Sequence, residues 1–327
     1  MKLAHLGEFG LIDRIRARVT ADAGILRGIG DDCAQLRLGA DEDLLTSTDM
    51  LLEGVHFRWD WTTAADLGWK AVAVNVSDVA AMGGRPRALY LALAVPETAA
   101  VAQIEALMDG FLAAAQAYGA VLVGGDTCRS PGPWVLSVTV EGLVPRGEAV
   151  GRDGARPGDH ILVSGTLGES ALALALLQQG RTPAPALAQR HHRPQARAGL
   201  GRALAAARLP TAMIDLSDGL SSDLWHLLRA SGCGGRLRLA DLPVSAACRQ
   251  AGGDAALALR GGEDYELLLT LPPARVEAAQ QLAADQGLPL TDIGAITAEP
   301  DLWVCAGQGE WQPCPPGGFN HFGDGRS

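Results

Sequence analysis

The chain has 327 residues, 48% of them apolar, and a formal net charge of −10. That length suits two domains, and that apolar share excludes general disorder. The acid excess argues against a nucleic-acid binder, which needs a basic surface to neutralise phosphates.

Taken in chain order, apolar residues spaced near 3.6 predict a helix over 8–20. A strand follows over 44–48, a helix over 64–82, a strand over 87–95 and a helix over 98–118. Strands over 120–124, 134–144 and 160–164 precede helices over 168–179 and 196–207. The remainder reads as a strand over 211–215, a helix over 219–231, strands over 236–240 and 265–271, a helix over 273–286 and a strand over 291–297. Helices and strands mix throughout, so the class is α/β (α+β). The turn-rich stretch RDGARPGD at 152–159 marks the boundary, dividing the chain into domains 1–150 and 151–327. Residues 181–185 read as a loop, and the Pro- and Gly-rich stretch from Pro313 as an ordered tail or flap.

No apolar run approaches the roughly 18–20 residues needed to span a bilayer. Glu8 and Asp13 stand among the first apolar residues, where a signal peptide would carry a basic end and an apolar core. The six cysteines form no C-x-x-C pair and no zinc-ligand spacing, so they read as small buried hydrophobes in a reduced, cytoplasmic protein.

Lys2 and Lys70 are the only lysines, the other 25 basic residues being arginine, and neither stands in a P-loop. No G-x-G-x-x-G follows a strand, and no G-x-S-x-G elbow is present. What stands out is where the acids fall. Asp31 and Asp32, Asp49, Asp126, and Asp215 with Asp218 lie beside Gly, Ser or Thr at the ends of apolar strands. Asn75 and Asp78, three residues apart, share one helix face. Each alone also reads as a turn residue or, for Ser217 and Asp218, a helix cap. Together they suit hard cations, since Mg²⁺ takes oxygen ligands and usually adds substrate phosphates. Two such charges ~4 Å apart repel by roughly 4 kcal/mol at an effective dielectric of about 20, so convergence requires a cation. His56 lies in the loop after Asp49. Glu263 follows a Gly-Gly pair that permits close backbone approach to a ligand. His191 and His192, in the run RHHRP, read as a solvated basic helix end.

The motifs GIGDDCA (28–34), STDMLLEGVHF (47–57), AVNVSDVAAMGG (73–84), GGDT (124–127), DLSDGLSSDL (215–224), GGEDYELL (261–268) and GGFNHF (317–322) resemble the thiamine-monophosphate kinase family. That family belongs with aminoimidazole ribonucleotide synthetase, selenophosphate synthetase and a hydrogenase maturation protein. The resemblance runs from about residue 7 to the tail. It lacks the reactive N-terminal Cys of the selenophosphate branch and the terminal Cys of the hydrogenase branch.

The resemblance implies a two-domain aminoimidazole ribonucleotide synthetase-like fold whose N-terminal domain forms a β-barrel-like core across a homodimer. ATP and several Mg²⁺ ions are the implied cofactors, and thiamine monophosphate is the acceptor, converted to thiamine diphosphate. The N-terminal domain would bind ATP and Mg²⁺ and dimerise, and the second would complete the site. Matched residue by residue, Asp32, Ser47, Thr48, Asp49, Asp78, Asp126, Asp215 and Asp218 are the implied magnesium ligands, with Asp126 and Asp218 catalytic. Gly125, Asp126, Arg152 and Ser217 are the implied ATP contacts, Arg152 offering a forked contact to phosphate. His56, Glu263 and Phe319 are the implied contacts to thiamine monophosphate. At 319 the family often carries Trp or Tyr. Phe keeps the stacking surface and loses any polar contact. Two alternatives stay open: another ATP-dependent synthetase of the same superfamily, and a non-enzymatic metal- or nucleotide-binding module.

Overall fold

The computed structural model describes residues 25–27, 31–32, 34–38, 40–307, 309–319 and 321. The helix expected over 8–20 lies outside them.

Six strands form the first sheet: β1 (Ile25–Arg27), β2 (Ala34–Leu38), β3 (Glu42–Leu52), β4 (Arg85–Val95), β5 (Val121–Arg129) and β6 (Val135–Pro145). Their order is β1-β2-β3-β6-β4-β5, with β4 and β5 parallel and the other neighbours antiparallel. Along β6 the side chains alternate, with Leu136, Val138 and Val140 buried and Ser137, Thr139 and Glu141 on the other face. Two helices cover the apolar face: α1 (Ala64–Ala81) and α2 (Val101–Tyr118). The Thr63 hydroxyl caps α1 by accepting the Asp66 N–H, and Gly119, in the left-handed region, ends α2. The opposite sheet face carries exposed apolar residues, among them Met50, Tyr90 and Val123.

A second sheet gathers β7 (His160–Ser164), β8 (Ala212–Asp215), β9 (Gly234–Arg238), β10 (Leu267–Leu271), β11 (Leu290–Thr297), β12 (Leu302–Cys305) and β13 (Gln312–Pro313). The order is β13-β12-β9-β11-β7-β10-β8. Strands β8 and β10 are buried along their whole length, so apart from Asp215 and Thr270 they are apolar throughout. The helices of this half are α3 (Glu169–Gln178), α4 (Pro185–His192), α5 (Ala198–Ala206), α6 (Leu220–Ser231), α7 (Ala246–Gln250), α8 (Ala255–Arg260) and α9 (Val276–Ala284). One sheet face packs Ile161, Val163 and Ile214 against Leu172, Leu220, Leu224 and Leu259. The other packs Leu162, Met213 and Leu269 against Leu200, Leu204, Ala279 and Ala283.

The element that joins the halves is α1. Leu67, Val72, Val76 and Val79 belong to the core of the first sheet, and Ala80 and Ala81 to that of the second. A helix apolar on all sides is one buried on all sides. Beyond Asp66 in the first turn, its polar residues (Lys70, Asn75, Ser77 and Asp78) therefore point into the interior and must find partners there.

Most expected elements are found, with shifted ends. Strand β3 runs to Leu52 where 44–48 was expected, because Ser47 and Asp49 alternate onto the same side as buried Leu45 and Leu51 and meet polar partners on α1. Asp49 is thus mid-strand. So is Asp126: β5 continues through Gly-Gly-Asp-Thr to Arg129 as an edge strand paired only to β4 among the described residues. The short elements β1, β2, β12, β13, α7 and α8, and helix α4 beginning at Pro185, had no clear periodic signal. Among the described residues no helix is long and apolar enough to cross a membrane.

Candidate active site

Three carboxylates converge where α1 passes between the sheets. Asp32 precedes β2, Asp78 lies in the last turn of α1, and Asp215 closes β8. Each offers an oxygen, and all three oxygens lie within 4.8 Å of one another. Neighbouring hydroxyls fix them: Ser47 Oγ donates to Asp78 at 2.6 Å, and Ser77 Oγ donates to Asp215 at 2.6 Å. Asn75 accepts the Asp49 N–H at 3.0 Å, which holds β3 against α1. Ser47 and Asp49 share the helix-facing side of β3, so Asp49 joins the group.

Crowding shifts these acids. Burial first, then the Asp215 charge, raises Asp32 to about 7 against the pull of Arg152. Burial also raises Asp215 to about 6, although Ser77 and Arg152 oppose it. Asp78 is pushed well above the usual carboxylate range by burial and by Asp49, Asp215 and Asp32. Asp49 keeps one side open to solvent, yet packing and Asp32 raise it too. Acids held together against their own repulsion, with hard oxygen donors facing one point, fit a divalent cation.

Arg152 departs from expectation. Its guanidinium fork is taken by Asp32, through Nη2 and through Nε at 3.2 Å, with Asp31 3.6 Å from Nε. Burial would lower that guanidinium, but Asp32 and then Asp31 raise it. In this arrangement Arg152 anchors Asp32. Thr48 also departs: its hydroxyl donates to the Val138 carbonyl at 3.0 Å on the opposite side of the strand from Ser47 and Asp49.

Asp126 lies apart from the three carboxylates. The register Asp49–Val138–Leu91–Gly125 spans three strand spacings, roughly 14 Å at about 4.8 Å each. Gly125 and Asp126 border a cleft of about 470 Å³ lined by Leu91, Leu93, Ile104, Met108 and Leu122. Position 125 requires glycine: its φ is 153°, and a Cβ there would sit 1.9 Å from the Leu91 carbonyl oxygen.

The Asp215–Asp218 turn is held from three sides. Asp223, from the first turn of α6, accepts the N–H of Asp218 at 3.1 Å and of Gly219 at 3.0 Å. The loop 261–266 lies against it, with Glu263 N–H donating to the Ser217 carbonyl at 2.7 Å. The C-terminal tail does likewise: Phe319 N–H donates to the Asp218 carbonyl at 3.1 Å, and Ser221 Oγ donates to the Gly317 carbonyl. Any side chain at Gly318 would come within 2.4 Å of that same Asp218 oxygen.

Beside this turn His56, His321 and Phe319 form a row, with ring centroids 5.1 and 4.7 Å apart. His56 Nδ1 accepts the Leu52 N–H at 3.0 Å, so its neutral ring carries the proton on Nε2. Burial and then His321 hold His56 below the ordinary histidine value. Glu263 stands near this row, bound to Lys70 at 2.7 Å and His191 at 3.2 Å. His191 is 3% exposed, so the solvated helix end expected at 190–194 does not describe it.

The structure therefore brings Asp32, Ser47, Asp49, Asp78 and Asp215 into one group, with Ser217, Asp218, His56, Glu263 and Phe319 alongside. Thr48 through its side chain and Asp126 with Gly125 stand outside that group, and Arg152 joins it as the partner of Asp32. Gly28, Gly30 and Cys33 of the first motif lie outside the described residues. Ser77, Asp223 and His321 carry no role in the sequence reading, Lys70 figures there only as a lysine outside a P-loop, and His191 only as part of a solvated helix end. Lys70 carried a signal, a lone charge inside the apolar run WKAVAV. So did Ser77, next to Asp78.

Two family models match the chain: "AIR synthase related protein, N-terminal domain" over residues 30–144 and "AIR synthase related protein, C-terminal domain" over 156–304. The chain is 43% identical to the thiamine-monophosphate kinase of Escherichia coli (strain K12), over 97% of this chain and 98% of that one. It is 45% identical to the crystal structure of the thiamine-monophosphate kinase from Stenotrophomonas maltophilia K279a, covering 92% of this chain and 98% of that one, with a TM-score of 0.77. A solved structure of AaThiL complexed with AMPPCP and TMP is 37% identical, covering 98% of this chain and 99% of that one, with a TM-score of 0.86.

Proposed function

This chain belongs to the thiamine-monophosphate kinases, a family of the AIR synthase related proteins, and we propose that its reaction proceeds in the acid-lined crevice between β3, α1 and β8. The reaction is the ATP-dependent phosphorylation of thiamine monophosphate to thiamine diphosphate. The observation that carries the placement is the convergence of Asp32, Asp78 and Asp215 within 4.8 Å beside a row of rings able to take an acceptor. A relative held with AMPPCP and TMP together supports a site for two phosphate-bearing ligands.

Mg²⁺ would be held by Asp32, Asp78 and Asp215, with Asp49, Ser47 and Asp218 adjacent, and would supply neutralisation of the phosphate charge. The protein's own residues position the reactants. His56 and Phe319 flank the acceptor ring, and Glu263 accepts a hydrogen bond from it. Phosphoryl transfer needs positioning more than covalent chemistry. One oxygen of the acceptor phosphate, already ionised at pH 7, forms the new bond to the γ-phosphorus as the bond to the β-phosphate oxygen breaks. No strong general base is required. Asp218, held by Asp223 on one side and by the tail on the other, lies where both substrates meet.

ATP takes its base to the apolar cleft beside Gly125 and Asp126. The open face of the first sheet, with Met50, Tyr90 and Val123, is the surface on which a second copy pairs. That pairing, a barrel-like closure of two sheets, accounts for the exposure of β5. Residues 1–150 then carry nucleotide binding and dimerisation, and 151–327 complete the acceptor side. An enzyme that draws on ATP is placed by this reading in the cytoplasm.

The test is a coupled ADP-release assay with thiamine monophosphate as the only acceptor and thiamine as control. ADP formation dependent on thiamine monophosphate and on Mg²⁺ is expected. ADP release only with another acceptor would point to a sister synthetase, and ATP binding without turnover to a non-enzymatic module.

A further inference from the structure

Lys70 is a charged residue in the middle of α1, the most buried helix among the described residues, 4% exposed at its side chain. The three carboxylates do not use it. Its ammonium reaches across to Glu263 Oε1 at 2.7 Å, while His191 Nδ1 lies 3.2 Å from Oε2. Lys70 comes from α1 and His191 from the end of α4, so each carboxylate oxygen has its own holder. Ser170 Oγ, 3.1 Å from the same Nδ1, shares its single proton as a second acceptor, and the His192 ring packs edge-on with its centroid 5.0 Å away.

The backbone under Glu263 is equally constrained. Its φ is 64°, in the left-handed region, where a residue with a side chain is held only if its surroundings insist. Two backbone bonds supply that, Glu263 N–H to Ser217 and Tyr265 N–H to Leu216 at 2.8 Å. Yet 24% of the Glu263 side chain stays open.

We infer that Lys70 and His191 are positioning residues for acceptor recognition: they grip both oxygens of Glu263 from behind, so that its free lone pairs meet a neutral N–H donor on the acceptor ring. This rests on the reading that Glu263 faces the acceptor. The class of donor follows from charge. Lys70 already neutralises Glu263, so a cationic ring gains little there, whereas an uncharged donor such as the amino group of an aminopyrimidine completes the carboxylate's hydrogen bonds. A carboxylate oxygen accepts more than one bond, and a fixed acceptor binds without the ordering loss of a free glutamate.

The rival is a staple that merely ties α1 to α4 and the 261–266 loop. Steady-state kinetics on the full-length enzyme separate the two, using Glu263→Gln, His191→Leu, His191→Asn and Lys70→Met. Glu263→Gln and His191→Leu are expected to raise KM for thiamine monophosphate roughly tenfold, the worth of one charge-assisted hydrogen bond. KM for ATP and kcat should stay within about twofold, since the nucleotide side is untouched. His191→Asn places an amide N–H where Nδ1–H stood, and should return KM to near wild type. A merely structural staple would lower the melting temperature in His191→Leu without splitting the two KM values. If Glu263→Gln raises the acceptor KM and His191→Leu does not, the positioning inference is overturned and the acceptor reading stands. If Glu263→Gln leaves KM unchanged, the acceptor reading itself falls. Should Lys70→Met fail to fold, the His191 pair decides the question.

Discussion

Replacing Asp78 by Asn should stabilise the metal-free protein while destroying its activity. Oxygens of Asp32, Asp78 and Asp215 lie within 4.8 Å of one another, and at an effective dielectric of about 20 two charges at that distance repel by about 3.5 kcal/mol. Arg152 offsets the share of Asp32, whereas the charges acting on Asp78 are the like charges of Asp49, Asp215 and Asp32. Asn keeps the shape and still accepts the Ser47 hydroxyl. Removing one charge should therefore stabilise the metal-free fold by about 2–3 kcal/mol at pH 8, a rise of several degrees in Tm.

The sign with pH follows from the raised values of Asp32, about 7, and Asp215, about 6. Raised folded values mean that the native state holds protons the unfolded chain has lost. Metal-free wild type thus loses stability as pH rises through about 6–7, and the advantage of Asp78→Asn shrinks toward pH 5.5. A cation that binds the native state reverses the loss in wild type and much less in the variant. Thermal denaturation at pH 5.5 and 8, with EDTA or Mg²⁺, reads all of this. A variant that melts below wild type at pH 8 in EDTA, or that gains as much from Mg²⁺, would refute the reasoning.

Four further outcomes are expected. Asp218→Asn should lower turnover by orders of magnitude at saturating Mg²⁺ with Tm nearly unchanged; near-normal turnover would remove it from the reaction. His56→Ala should chiefly raise KM for thiamine monophosphate, and a fall in kcat alone would place the ring elsewhere. Gly125→Ala drives a Cβ to 1.9 Å from the Leu91 carbonyl, so Tm should fall by the equivalent of about 1–3 kcal/mol and KM for ATP should rise. Val123→Glu, on the open sheet face, should shift the sedimentation of the assembly toward a monomer; an unchanged profile would move the pairing surface away from β5.

The helices 64–82 and 219–231 were legible because their apolar residues recur at the helical period, and Ser217 or Asp218 offered the second a cap. The acidic motifs were legible because Asp215, Ser217 and Asp218 crowd a turn between strand and helix, a local pattern. Strand ends were less so. Ser47 and Asp49 interrupt the apolar alternation of β3, and what lets the strand continue is a partner 31 residues away, Asp78.

The sequence alone determined the family, the mixed fold class and most of the residues that gather at the site, since these are written in local spacing and in residue type. Tertiary structure decided which of them meet. Ser77 reaches Asp215 across 138 residues, and Lys70 reaches Glu263 from the middle of an apolar helix. Both contacts exist because α1 is buried between two sheets, where a polar group must find a partner or leave the interior. The same packing gave the Arg152 fork to Asp32 and left Asp126 three strands away, and no local pattern carries such distances.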